Sequence, residues 1–120
     1  MLLVLLFICH FLGDYVFTTP RMLEAKQTGK PLLPIFGHAG VHAILMYVAM
    51  YSFVLFETLL AMTVFQLIAH FLTDVLKGRL QATFPKLADS KNKAHWILFG
   101  ADQLMHTLAI LYMVQYIASR

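Results

Sequence analysis

The sequence has few charged residues and almost no cysteine. Only 12% of its 120 residues are charged and 60% are hydrophobic, whereas soluble domains have about 25% charged residues. The single cysteine, Cys9, cannot form a disulfide within the chain, so cysteine usage does not indicate a compartment. These shortages exclude an ordinary soluble domain and a disulfide-stabilised scaffold.

Motifs of several functional classes are also missing. There is no glycine-rich phosphate loop, and no Ser-His-Asp or Cys-His arrangement has a recognisable context. The formal net charge is +3, but the basic residues lie in two short segments between apolar runs and not on an amphipathic face. We therefore expect no nucleic-acid partner.

Long apolar segments are what the sequence does contain. They predict a single domain over residues 1–120, an all-α integral membrane four-helix bundle with helices at about 1–17, 35–56, 58–77 and 95–118. No Lys or Arg precedes the first apolar run and no small-x-small cleavage site follows it, so we interpret it as a retained helix and not a signal peptide. Thr19 as N-cap, Pro20 and Gly29 predict a short interfacial helix in the first loop.

The distribution of Lys and Arg predicts the orientation. Eight basic residues fall in or beside the first and third loops, and one lies near the C-terminus. They are Arg21, Lys26, Lys30, Lys77, Arg79, Lys86, Lys91 and Lys93, against Arg120. By the positive-inside rule both loops face the cytoplasm and both termini face outward.

Each predicted helix contains two potential metal ligands spaced four residues apart. The pairs are His10 and Asp14, His38 and His42, His70 and Asp74, and Asp102 and His106. Residues four apart lie on one face of a helix, one turn from each other. The repeated sequences His-Phe-Leu-Gly-Asp at 10–14 and His-Phe-Leu-Thr-Asp at 70–74 indicate two related helical hairpins.

All four pairs are predicted at the cytoplasmic end of their helices. Ionisable groups facing lipid cost about 2.5–3.5 kcal/mol or more each, so the pairs should converge inside the bundle. A lone intramembrane histidine is commonly explained by a hydrogen bond to the next helix, but four matched pairs favour a metal site. Imidazole and carboxylate ligands without thiolate suit zinc best, or iron, manganese or nickel, and eight groups are enough for one or two ions.

Catalytic roles follow from the same pattern. Asp14 or Asp74 would move a proton, and His95, seven residues before Asp102, extends the polar stripe toward the cytoplasm. Lys77 could bind an anionic substrate at the cytoplasmic mouth, although the positive-inside rule also accounts for it.

The combination of motifs resembles an uncharacterised family of bacterial inner-membrane proteins, domain of unknown function 3307. The matching residues are His10-x-Leu12-Gly13-Asp14 with Met22 and Lys26, His38-x-x-x-His42, His70-x-x-x-Asp74-x-x-Lys77, and Asp102-Gln103-x-x-His106. Thr18 stands where the family usually has Gln. The resemblance implies a shared four-helix topology, an inner-membrane location and a shared polar site, but no reaction.

The leading functional hypothesis is a membrane-embedded metal-dependent hydrolase that acts on a lipid or lipid-linked phosphate or ester from the cytoplasmic side. An intramembrane metal or proton carrier, a His-rich di-iron oxidoreductase and a bis-His haem protein are the alternatives. A carrier would need polar residues that continue to the outer face, which the sequence lacks. The sequence leaves open whether the protein forms a homo-oligomer.

Overall fold

A computed structural model describes residues 1–120, which form helices and no strands. The first helix, α1, is followed directly by a π-helical segment, and five further helices complete the chain. Their bounds are α1 Leu2–Phe11, the π-helix Leu12–Val16, α2 Pro20–Thr28, α3 Leu32–Met50, α4 Phe56–Thr83, α5 Pro85–Ala88 and α6 Lys93–Ala118. The predicted all-helical fold with a short helix in the first loop is confirmed.

Three helices, α3, α4 and α6, are long and apolar enough to cross a membrane. The first helix is shorter, with 10 residues in α1 and 5 in the π-helix. It bends by 96° into α2 and counts as a fourth span only when the bent pair is taken together. The structure therefore has three or four helices of membrane-spanning length.

The ends of α2 follow the sequence signals. The Thr19 hydroxyl oxygen accepts a hydrogen bond from the Met22 backbone N–H at 3.2 Å, and Pro20 occupies the first helical position, where no N–H is needed. Gly29 ends the helix with a φ of +76°, a left-handed conformation that glycine adopts without strain. The predicted cap, first residue and terminator are confirmed.

Other helix ends differ from the prediction. Helix α3 begins at Leu32 because Pro34 lies in its first turn, where a missing N–H costs nothing. It ends at Met50 and not near residue 56, and the apolar residues 51–55 form the connection to α4. Helix α4 continues past Lys77 to Thr83, since Phe84, which precedes Pro85, is extended.

The helices form an antiparallel ring in which α1 packs against α3 and α6, and α4 packs against the same two helices from the other side. One half of the interior is apolar. Its core contains Leu6, Cys9, Met46, Met50, Leu59, Met62, Ile110 and Met113. The other half of the interior contains the polar residues, at the end of the bundle where α2 packs.

Helix α2 lies directly on the backbone of α4. A Cβ atom at Gly78 would clash with the backbone N of Gly29 and with the carbonyl oxygen of Lys26. Arg79 Nε donates a hydrogen bond to the Gly29 carbonyl at 3.3 Å. This close approach needs glycine at residue 78, and it brings the Lys26 side chain to the polar end of the bundle interior.

Candidate metal centre

The four predicted pairs meet in one polar group, which we call the His/Asp cluster. Its members are His10, Asp14, His38, His42, His70, Asp74, Asp102 and His106. The side chains of His38, His42, His70 and Asp74 are completely buried. The i,i+4 spacing is what allows each helix to direct two of these groups to the same interior space.

Asp14 lies in the π-helix and contacts histidines from two helices. Its Oδ1 is 2.9 Å from His42 Nε2 and 3.2 Å from His38 Nε2, and its Oδ2 is 3.2 Å from His10 Nε2. A Cβ atom at Gly13 would lie 2.5–2.7 Å from the His42 ring, so only glycine lets this segment approach α3 so closely. Short π-helical segments are common at functional sites, and the sequence reasoning missed this one.

Asp74 occupies the corresponding position on α4. Its Oδ2 is 3.1 Å from His70 Nε2, and its Oδ1 is 3.4 Å from His106 Nε2. Asp102, one turn before His106, has its Oδ1 at 3.3 Å from His106 Nε2. His106 Nε2 therefore faces two carboxylates.

The geometry reflects the repeated sequence motif. In each half, the Asp of the repeated motif contacts the His four residues before it. The same Asp also contacts a His on the next long helix, which is α3 in the first half and α6 in the second. Asp14 contacts His42 at 2.9 Å and Asp74 contacts His106 at 3.4 Å. The halves differ at one position, since His38 in the first pair corresponds to Asp102 in the second. The two halves of the cluster therefore offer different sets of ligands.

The histidine rings pack against one another with His70 in the middle. The His70 centroid lies 3.9 Å from that of His42 and 4.2 Å from that of His106. Gln66, one turn before His70 on α4, has its side-chain nitrogen 3.4 Å from His70 Nδ1. This leaves the His70 Nε2 edge facing Asp74.

Two groups of these side chains have donor atoms that lie within 4.8 Å of one another and could hold a metal ion. The first comprises Asp14, His38, His42 and His70, and the second His70, Asp74 and His106. Six of the eight predicted ligands are thus in these groups. His10 and Asp102 lie outside them, each in contact with a member.

The residues present fit a divalent cation. Both carboxylate oxygens of Asp74 are buried, and neither makes a well-aligned hydrogen bond although His70 and His106 lie 3.1–3.4 Å away. A buried carboxylate is costly unless it is paired with positive charge. His38 Nε2 lies 3.3 Å from Lys26 Nζ and 3.2 Å from Asp14 Oδ1. The single Nε2 atom cannot both accept a hydrogen bond from the lysine and donate one to the aspartate. A metal ion, in contrast, could bind the Nε2 lone pair and the Asp14 carboxylate together.

Two lysines and a glutamine border the cluster. Lys77 Nζ lies 3.5 Å from Asp102 Oδ2, while Lys26 Nζ lies 3.9 Å from Asp74 Oδ2. Gln103 Nε2 donates a hydrogen bond to Asp102 Oδ2 at 3.1 Å, and Gln103 Oε1 lies 3.3 Å from His10 Nε2. The sequence reasoning assigned no site role to Lys26 or Gln103, and their place in the family pattern was the one signal that could have found them.

His95 lies apart from the cluster. Its Nδ1 is 2.8 Å from the Leu87 carbonyl oxygen, and its ring packs edge-on against Trp96. These contacts tie the short helix α5 to α6. The expected catalytic role of His95 stays a prediction.

Comparison with known proteins gives one match. A family model described as "Protein of unknown function (DUF3307)" matches residues 2–120. No curated protein and no solved structure matches the chain significantly.

Proposed function

The chain belongs to the DUF3307 family of proteins of unknown function, and we propose that it is a membrane-embedded, metal-dependent hydrolase. Its substrate would be a lipid or a lipid-linked phosphate or ester that reaches the site from the cytoplasmic side. The single observation that carries this proposal is the pair of buried metal-donor groups that share His70.

A divalent ion in these groups supplies Lewis-acid chemistry: it acidifies a bound water and polarises a carbonyl or phosphoryl oxygen. The donor set, with imidazole and carboxylate and without thiolate, suits zinc best, with iron and manganese as alternatives. Because His70 belongs to both groups, two ions could each have three of the six donor residues if His70 binds only the ion beside Asp74 and His106. The copy number is accordingly one or two ions.

The protein's own residues then have separable tasks. Asp14 and Asp74 bind metal and orient the surrounding imidazoles, and Asp102, beside His106, can accept a proton. Helices α3, α4 and α6 exclude bulk water from most of the cluster, which strengthens electrostatic interactions inside it. The cluster is thus suited to polarise a substrate in a nearly dry environment.

The apolar half of the bundle favours catalysis over conduction. A metal or proton carrier needs polar groups along its whole path. Beyond the cluster, however, the buried side chains are apolar except for Gln66, which contacts His70, and Thr58 near the start of α4. This arrangement supports a site that opens at one end only.

We further propose that this open end faces the cytoplasm of a bacterial cell, because α2 and the loop that contains α5 have eight of the nine basic residues in or beside them. In a Cys9→Ala background, cysteine at Lys30 or Lys91 should resist an impermeant maleimide in intact cells and react after permeabilisation. Both positions are exposed, unlike Lys26, which is part of the site. Cysteine at exposed Ser52, in the opposite turn, should react in intact cells.

Labelling of Lys30→Cys or Lys91→Cys from outside intact cells, with Ser52→Cys protected, would reverse this topology. The substrate would then have to approach from the outer leaflet.

The hydrolase itself is tested with purified protein in lipid nanodiscs, loaded separately with zinc, manganese or iron. Phosphatidic acid, a polyprenyl diphosphate and an acyl ester are the substrates, and released phosphate or fatty acid is measured. Asp14→Asn and Asp74→Asn should lower turnover by at least about 100-fold, the range of a lost general acid or base or of a lost metal ligand. Asp89→Asn, in the exposed loop, should retain the wild-type rate.

Turnover that persists in both cluster variants would show that the reaction occurs elsewhere. A metal-loaded protein that hydrolyses none of the three substrate classes would move the assignment to metal binding without hydrolysis.

A further inference from the structure

A cavity of about 180 Å³ opens beside the His/Asp cluster. The π-helix, α2, α4 and α6 all contribute to its lining, which includes Asp14, Lys26, Lys77, Gln81, Asp102 and Gln103. We call this cavity the basic pocket. Because Asp14 and Asp102 belong to both the pocket and the cluster, a group bound in the pocket lies next to the proposed metal.

The two lysines reach the pocket from different helices and are held by carboxylates of the cluster. Lys26 comes from α2, which is fixed on α4 by the close contact at Gly78, and Lys77 comes from α4. Their side chains are only 18% and 17% exposed. Two ammonium groups are therefore held at the opening, where a surface lysine obeying the positive-inside rule would point into solvent.

The charges of the site favour an anionic ligand once metal is bound. Asp14, Asp74 and Asp102 contribute three negative charges, and Lys26 and Lys77 contribute two positive charges, which leaves one negative charge. A single divalent ion turns this remainder into one positive charge, and two divalent ions turn it into three. A partly buried site with excess positive charge is stabilised by an anion.

The same charges account for the lysine positions without metal. Lys26 lies 3.9 Å from Asp74, which belongs to a metal-donor group, and Lys77 lies 3.5 Å from Asp102, which contacts the donor His106. Each lysine thus compensates a carboxylate in or beside the proposed metal site, and a metal ion held there would repel both ammonium groups. Both lysines then become available to a ligand in the pocket.

The size and edges of the pocket narrow the ligand further. Its volume is below the roughly 300–1,000 Å³ of pockets that enclose drug-sized molecules, so it suits a small headgroup. Tyr15, Leu23, Gln27 and Phe99 complete its lining. Exposed Tyr15 and Leu23 offer an apolar rim for an acyl or prenyl chain. Gln103 adds amide donors beside the lysines.

We propose that the basic pocket binds the phosphoryl group of an anionic substrate, through Lys26 and Lys77, and does so only when the His/Asp cluster contains metal. This inference rests on the metal site of the proposed function, but not on hydrolysis. It selects the phosphate class over the neutral ester class among the substrates proposed above.

Equilibrium binding to the purified protein tests the proposal, with zinc-loaded and metal-free samples compared. The probes are inorganic phosphate, short-chain phosphatidic acid in nanodiscs, and phosphatidylcholine as the zwitterionic control. Phosphate and phosphatidic acid should bind the zinc-loaded protein at least about 10-fold more tightly than the metal-free protein. Tighter binding of phosphatidic acid than of inorganic phosphate identifies a lipid headgroup as the source, and the reverse order identifies a free phosphate.

Lysine variants identify the pocket as the binding site. Lys26→Met and Lys77→Met should each weaken phosphate binding by about 10-fold or more, the effect of one lost charge-assisted hydrogen bond, while metal content stays at the wild-type value. Lys77→Arg, which keeps the charge, should restore much of the affinity. Lys86→Met and Lys91→Met, on the exposed loop, should bind phosphate like the wild type.

Equal phosphate affinity with and without zinc, or unchanged affinity in both Lys26→Met and Lys77→Met, would overturn the proposal. Zinc-loaded protein that binds no phosphate defeats this inference alone and leaves ester hydrolysis standing. A protein that retains no metal would contradict the proposed metal-dependent hydrolase itself. Failure of the proposed function and failure of the phosphate-binding inference therefore give different results.

Discussion

Alanine at His70 is expected to remove most of the bound metal from the purified protein. Elemental analysis of the wild type should find about one or two divalent ions per chain. His70 belongs to both donor groups and its ring lies between those of His42 and His106. Even partners outside the coordination sphere change metal affinity about 10–100-fold, so loss of a shared ligand should affect both groups.

The neighbouring histidines provide the comparison. His38→Ala and His106→Ala each remove a donor from one group only, so each should lose less metal than His70→Ala. His95→Ala is the control, because its ring contacts Leu87 and Trp96 and not the cluster. It should keep the full metal content and the helical circular dichroism of the wild type.

The identity of the metal separates the enzymatic alternatives. Zinc or manganese supports the hydrolase, whereas iron with a characteristic optical spectrum would support the di-iron oxidoreductase instead. No stoichiometric metal after growth with zinc, iron and manganese would leave a structural or proton-linked role for the cluster.

The convergence of the eight side chains could be predicted from the sequence because it depends mostly on helix geometry. A spacing of four residues fixes two side chains on one face, and the cost of exposing them to lipid fixes which face points inward. Both constraints act within single helices. The pairs His10 and Asp14, and His70 and Asp74, therefore meet in the structure as their spacing indicated.

Features that depend on contacts between helices could not be predicted in the same way. Lys26 reaches the cluster only because α2 bends by 96° from the first helix and packs on Gly78. Apart from its place in the family pattern, nothing in the sequence distinguished it from the other basic residues of the first loop. The π-helix around Asp14 has no compositional signal either, because Gly13 matters through its contact with the His42 ring.

The predicted helix ends were wrong where an apolar segment and the helix that contains it do not end at the same residue. Residues 51–55 are mostly apolar and include no glycine or proline, so the turn between α3 and α4 looked like a continuation of the helix. Gly78 and Arg79 looked like the start of a loop, yet they lie within α4. The first charged residues indicate where the apolar segment ends, whereas the helix itself continues to Thr83, two residues before Pro85.

The second large effect is expected at Asp74, whose carboxylate is fully buried beside His70 and His106 but makes no well-aligned hydrogen bond on either oxygen. Metal stabilises the folded protein by about 4 kcal/mol when its free concentration is 1,000 times the dissociation constant. Chelation should therefore lower the unfolding temperature of the wild type markedly. Asp74→Leu should lose the metal and respond little to the chelator.

The metal-free wild type and the metal-free Asp74→Leu variant together distinguish a metal-binding role of Asp74 from a structural one. If the carboxylate is there to bind a cation, metal-free Asp74→Leu should unfold at the same temperature as the metal-free wild type or at a higher one, because the substitution removes a buried charge. Lys26, freed from Asp74, can extend into the basic pocket.

Thermal unfolding followed by circular dichroism in detergent is the measurement, with Asp89→Leu in the exposed loop as the matched control. A metal-free Asp74→Leu that unfolds well below the metal-free wild type, while Asp89→Leu does not, would mean that Asp74 holds α4 and α6 together through His70 and His106, and the cluster would then be a structural polar network.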